Sequence, residues 1–410
     1  KGGTTSAPFS SGQSNTAVGK SAFDAFTTGF SNAAFGVASL GQVTTGAYNI
    51  GIGNSAGGAI TTAQANVAIS QDALAANQAT NNMIAIGFQA MFSSNHADTV
   101  GNVAIGYTAL RNNVKGAGNV AIGDEAGRNA TGSYNTFVGF EAGTGGTTSA
   151  PFSSGQNNTA VGFQALTGFT TAERMVSIGY ESMHNVTTGV DSIAIGYQAA
   201  YYNSGSESVS IGSYAGMSSG ATNNVSIGFR AGGSSGGSNV AIGSSAMRYL
   251  PPGSENVAVG NTAGSYLIGT STTIVGSQAG RFASGSYNTF VGMSAGYGGT
   301  TSAPYSSGQY NTAVGYKALD GFTTGYGNTA VGTETLDAVT EGFYNIGIGP
   351  AAGGSITTGD YNIAIGYAAF DAATTAGSTI AIGYAALSAY THAENSFNVA
   401  IGTQVAYLKT

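Results

Sequence analysis

The sequence predicts an all-β repeat protein, a β-solenoid or parallel β-roll with about 17 residues per coil. Three observations carry this prediction. One short motif recurs in register along the whole chain, β-branched residues occupy alternate positions within it, and glycine, at 67 of 410 residues, falls at fixed places in it. Regular self-similarity of this length is the mark of stacked repeats, each burying its apolar side chains against the next.

The unit reads Asn, then Thr, Val or Ile, a small residue, Val or Ile, Gly, two variable residues and Ala, as in Asn15 to Ala22 and Asn119 to Ala126. It occurs 23 times, with Ser70 standing where the other units have the anchoring glycine. Anchors are mostly 16 or 17 residues apart, with one interval of 15, two of 19 and two of 23. A longer period is marked by the insert Gly-Gly-Thr-Thr-Ser-Ala-Pro at 2–8, 145–151 and 298–304, which divides the chain into blocks 2–144, 145–297 and 298–410. No linker separates the blocks, so the reading is one continuous solenoid over 1–410.

Within a unit, the Val or Ile before the anchor and the β-branched residue two places earlier share one face of a strand, because side chains alternate with period two. The opposite face carries little more than Ala or Gly, as with Ala17 and Gly51. Such a face packs against something. It meets either the second strand of its own coil or another subunit, and since both faces read as buried, self-association is favoured. After the anchor come Ala, in 19 of 23 units, a short apolar stretch such as Ala165-Leu166, and a polar turn that is often Thr-Thr-Gly. This predicts two short strands and two turns per coil. So much Gly, Thr and Val in register excludes a helix.

Composition narrows the partners. The net charge is −7 with only 11 Lys and Arg and no basic run, which leaves no footprint for phosphates and excludes nucleic acid. Hydrophobic residues make up 42%, too many for a chain that stays solvated, and cysteine is absent. No apolar run is long enough to span a membrane in this segment. The chain opens at Lys1 and stops in mid-pattern, as expected of a piece of a longer polypeptide.

The repeated Asn-Val-Ala-Ile-Gly with its following Ala, at 102–109 and 119–126, closely resembles the YadA-like head repeats of trimeric autotransporter adhesins, and repeats in bacterial and phage tail-fibre proteins. The resemblance covers the chain apart from the inserts. It implies a left-handed parallel β-roll, three rolls about a common axis, and an extracellular, cell-surface or virion-fibre location. The coils here are a little longer than that family's, and its stalk and membrane anchor are missing.

Candidate site residues follow from the period. Asn stands four before the anchor in 17 of 23 units, including Asn15, Asn49, Asn119, Asn135, Asn256 and Asn345; a stacked amide ladder that satisfies turn backbone groups is the ordinary role, a polar binding ladder the functional one. Aromatics follow the anchor in ten units, among them Phe163, Tyr180 and Tyr197, where subunit packing competes with glycan stacking. Each insert carries an aromatic, Phe9, Phe152 or Tyr305, on an excursion that suits a contact loop. His96 with Asp98, and His392 with Glu394, occupy equivalent long coils and are the only residues that suggest a metal. Eight Thr-Thr pairs read as turn chemistry. Catalysis has no footing: the three His are scattered and no acid pair recurs with a nucleophile, so the chain is read as no enzyme and without a cofactor.

The expected function is a structural fibre or adhesin segment that spaces or presents surface-binding elements. Its expected partners are further copies of itself, as a homotrimer, and a glycan or host-surface ligand. A self-assembling extracellular filament or matrix protein is the alternative, and an ice-binding solenoid a weaker one.

Overall fold

The computed structural model describes residues 10–96, 99–146, 152–217, 220–233, 236–249, 252–389 and 397–405. Among them the chain is all-β, a parallel β-solenoid of about 22 turns with about 17 residues per turn and no helix. Contacts gather it into two units, Lys1–Glu207 and Ser208–Thr410.

The first unit holds β1 (Thr16–Val18), β2 (Ala33–Phe35), β3 (Ile50–Ile52), β4 (Val67–Ile69), β5 (Ile84–Ile86), β6 (Val103–Ile105), β7 (Val120–Ile122), β8 (Thr136–Val138), β9 (Thr159–Val161), β10 (Val176–Ile178) and β11 (Ile193–Ile195). Each pairs in parallel with the next at equivalent motif positions, as Thr16 opposite Ala33 and Val103 opposite Val120. The second unit holds β12 (Val209–Ile211), β13 (Val225–Ile227), β14 (Val240–Ile242), β15 (Val257–Val259), β16 (Thr273–Val275), β17 (Thr289–Val291), β18 (Thr312–Val314), β19 (Thr329–Val331), β20 (Ile346–Ile348), β21 (Ile363–Ile365), β22 (Ile380–Ile382) and β23 (Val399–Ile401). The same register runs through it, beginning with Val209 opposite Val225.

Strands stop after three residues because the anchor turns left. Gly53 has φ +132°, and a Cβ placed on it would lie 2.6 Å from the carbonyl carbon of Ser70 in the next coil. Bare backbone stacks on bare backbone along this row, which only glycine permits without strain. Ser70 takes the same turn at φ 101°.

The second wall departs from the expectation of a second strand. The second and fourth residues after the anchor have left-handed φ, as at Ala38 (54°) and Leu40 (47°), so the chain here is a run of turns. The physical reason is that the third and fourth residues both point inward: Ala73 and Leu74 are both buried, whereas an extended strand would turn one of them out. Hydrogen bonding still links the coils. The Ala38 N–H donates to Lys20 O of the preceding coil and the Leu40 N–H to Ala56 O of the following one. A left-handed leucine costs about 1–2 kcal/mol, and burying its side chain returns about 1.5–3 kcal/mol.

The small-residue face is the inside of the coil. Ala34, Ala68, Ala85 and their equivalents are wholly buried against the inward Ala and Leu or Met of the second wall. Of the two readings open at the sequence level, packing within one's own coil is therefore the one realised. The β-branched face turns outward, so in the single chain it is not buried as expected.

Candidate functional site

Two rows of side chains leave each strand on its outer face. The row directly before the anchor is Val, Ile or Phe in every unit, and many of its members are more than a third exposed, including Val18, Ile52, Ile122, Ile195, Val291 and Ile348. The row two places earlier adds Ile50, Ile84, Ile193 and Ile346. Because the strands are in register, equivalent side chains stack coil on coil, and the result is a largely apolar strip along each unit, with Thr at some rungs of the earlier row. Monomeric soluble proteins rarely expose apolar patches beyond a few hundred Å². Eleven stacked pairs amount to on the order of 1,000 Å².

Aromatic rings border this strip. Phe140, Phe163, Tyr180 and Tyr197, each directly after an anchor, stack with centroids 5.3, 4.9 and 5.1 Å apart and planes within 10° of parallel. Their faces are spent on one another and their edges face solvent. Beside them runs a row of Glu141, Gln164, Glu181 and Gln198, in which Gln164 Nε2 donates to Glu141 Oε2 and Gln198 Nε2 to Glu181 Oε2, both at 2.6 Å. Burial pushes the Tyr180 phenol up, and Glu181 adds to the shift.

The Asn positions lie inside the coil. The Asn49 N–H donates to Asn32 Oδ1 at 2.9 Å, and Asn49 Nδ2 donates to Ala63 O at 2.8 Å. The same pair of bonds recurs at Asn119, to Asn102 Oδ1 and Gly132 O, and at Asn135, to Asn119 Oδ1 and Gly155 O. It recurs again at Asn256, to Asn239 Oδ1 and Gly269 O, and at Asn345, to Asn328 Oδ1 and Gly359 O. Asn15 Nδ2 donates to Gly29 O. The first hydroxyl of the Thr-Thr pairs is also engaged by backbone, Thr44 Oγ1 donating to Thr61 O and Thr323 Oγ1 to Thr340 O.

The inserts rejoin the coils through isolated parallel bridges, Ala130 with Ser153 and Ala283 with Ser306. Tyr305 lies against Tyr266, with centroids 4.7 Å apart, and near Phe282 at 6.0 Å. Phe152 is half-buried and lines an open groove of about 570 Å³ with Lys115. Phe9 lies outside the described residues. So do Asp98, His392 and Glu394; the described member of that set, His96, accepts through its carbonyl the Thr99 N–H and Oγ1. Among the described residues no group of three or more His, Cys, Asp or Glu is placed to hold a metal ion. No described helix is long and apolar enough to cross a membrane.

A carboxylate row also lies in the second unit, one that the repeat pattern does not single out. Asp320, Asp337 and Asp371 each stand five residues after an anchor, with Gly354 at the intervening rung. Burial pushes Asp337 up to about 6, with smaller contributions from Glu334, Asp371 and Asp320, and burial also raises Asp320 and Asp371. The equal spacing of these three Asp from their anchors was the signal available in the sequence.

A scan against protein-family models finds none that matches this chain, and a search of curated proteins likewise returns no match.

Proposed function

We propose that this chain is a structural fibre segment whose coils self-associate through the outer strand face, spacing or presenting surface-binding elements outside the cell or on a virion. The observation that supports this reading is the uninterrupted row of Val, Ile or Phe before every anchor, turned outward and partly to largely exposed in the single chain. The strip on each unit is comparable in size to the roughly 800 Å² per partner of a standard stable interface. A second copy of the same face is a natural cover, because it is flat, apolar and repeats at the same interval.

The resemblance to adhesin head repeats adds a closed arrangement of three left-handed coils about an axis, which hides one such face from each chain. Closure also protects the strip from open-ended growth. Light scattering after gel filtration tests the proposal. A mass near three times 40.4 kDa supports it. A monomeric mass overturns it, and a broad distribution of much larger masses favours the filament.

A further inference from the structure

We propose that the groove beside Phe152 binds a carboxylated sugar unit of an acidic polysaccharide. The groove is lined by Val114, Lys115, Thr131, Gly132, Ser133, Phe152, Ser154 and Gln156, and its volume of about 570 Å³ falls in the range of small-ligand sites. Its polar groups are not consumed by the fold. Among the described residues Lys115 has no ion pair, and neither the Ser154 hydroxyl nor the Gln156 amide has a protein partner. Ser133 Oγ accepts the Ala117 N–H and keeps its own proton to donate. Thr131 Oγ1 donates to Ser153 O and keeps its lone pairs.

This lining matches a pyranose acid group by group. A sugar ring has an apolar C–H face for the Phe152 ring and a rim of hydroxyls for Thr131, Ser133, Ser154 and Gln156. Its carboxylate supplies the counter-charge that Lys115 lacks, a charge-assisted contact worth more than a neutral one. An ammonium is scarce on a chain of net charge −7, which sharpens the preference for an anion at this place.

The chain contains its own comparison. The insert at 298–308 repeats the one at 145–155, yet the residues around it differ. Four residues before the ladder position, Lys115 precedes Asn119, whereas Ile268 precedes Thr272. Tyr305, the counterpart of Phe152, is held against Tyr266 and Phe282. In the first unit the places of those two rings are taken by Asn112 and Asn129, which bond to each other and leave Phe152 without a ring partner among the described residues.

The site deepens the adhesive side of the proposed function by naming a ligand class, and it uses residues outside the Val and Ile rows. Its test is therefore separable from the oligomeric state. Trigalacturonate is titrated into the full 410-residue chain by calorimetry, with neutral galactotriose and triglutamate as comparisons. The expected result is saturable binding of trigalacturonate that weakens with salt. Lys115→Gln and Phe152→Ala each lower affinity by about tenfold, Lys115→Arg retains it, and Tyr305→Ala leaves it unchanged. Unaltered melting temperatures show that the two weakened variants are folded. No saturable binding overturns the proposal, as does equal binding of galactotriose or triglutamate, or indifference to both variants. A mass that refutes the trimer leaves this result standing.

Discussion

The ring of Phe137 occupies the space that a side chain on Gly143 would need. Nine coils place Ala in mid-strand and Leu or Met four residues after the anchor, the commonest pairing; this coil exchanges the two volumes, and Phe290 with Gly296 repeats the exchange. In these coils the large side chain reaches the interior from the strand instead of from the second wall. Gly143→Leu alone is expected to destabilise the first unit by about 2–4 kcal/mol through overpacking. Phe137→Ala alone costs about 3–5 kcal/mol through a cavity. The double variant restores the commoner pair, so its loss falls well below the sum of the two. Urea unfolding of the four proteins measures the coupling, and simple additivity refutes the exchange.

Ser70 is the one unit anchor that is not glycine. At φ 101° it holds a strained backbone that glycine adopts freely. Ser70→Gly is expected to stabilise the chain by about 1 kcal/mol, seen as a higher melting temperature. A lower one would mean that the serine side chain supplies more than its backbone costs.

Asn49 joins two coils on either side of its own. Its Oδ1 accepts the Asn66 N–H of the following coil at 3.1 Å, while its Nδ2 donates to Asn32 Oδ1 of the preceding coil at 3.1 Å and to Ala63 O of the following one at 2.8 Å. Asn49→Leu leaves a buried donor and a buried acceptor unmet, at about 1–3 kcal/mol each. Hydrogen exchange should report faster exchange of the Asn66 amide in particular. Global loss without that local signature would point to bulk rather than to the bond.

Asp337 sets a pH dependence. Its folded value of about 6 lies above the ordinary carboxylate value, so the ionised form is the one the fold disfavours. Stability from this residue is fully present below about pH 4 and is lost as pH rises through about 6. Half-exposure screens the effect to about 1 kcal/mol. The expected melting temperature is higher at pH 5 than at pH 7.5 by more in the native chain than in Asp337→Asn. Equal pH profiles for the two proteins would remove Asp337 as the cause.

In the second unit, β12 and β13 are the thinnest part of the interior. Ser210 and Ser226 sit in mid-strand, and Gly216 and Gly232 follow where other coils place Leu or Met. With few buried apolar side chains, these coils should open at lower free energy than β18 to β21. Native-state hydrogen exchange resolved by peptide checks the order; earlier opening of β18 to β21 would refute it.

How much of this was legible in the sequence varies with the element. Every strand was, because the alternation of Val or Ile around a small residue, closed by Gly, permits one short extended segment and a left turn. The inward or outward sense of that strand was not. Ala17 on one face and Val18 on the other satisfy period two whichever face is inside, and only the reach of Leu40 across the coil decides it. The second wall was misread because Ala165-Leu166 looks like strand, whereas two adjacent inward side chains demand left-handed φ at Leu166. The Phe152 groove was legible as an aromatic on an excursion. Lys115 was not tied to it, since the two residues are far apart in sequence and meet only through stacking.

The anchor row also fixes what this chain measures. Intervals between anchors range from 15 to 23 residues, yet within each unit each strand pairs with its neighbour at the same motif positions. Residues gained or lost at a turn therefore leave the rise per coil unchanged, and a protein of this kind counts coils rather than amino acids. Whole-unit duplication lengthens it by a fixed step while single-residue insertions only decorate its edge. Coils gained or lost whole therefore change the length of a unit in increments of one strand spacing.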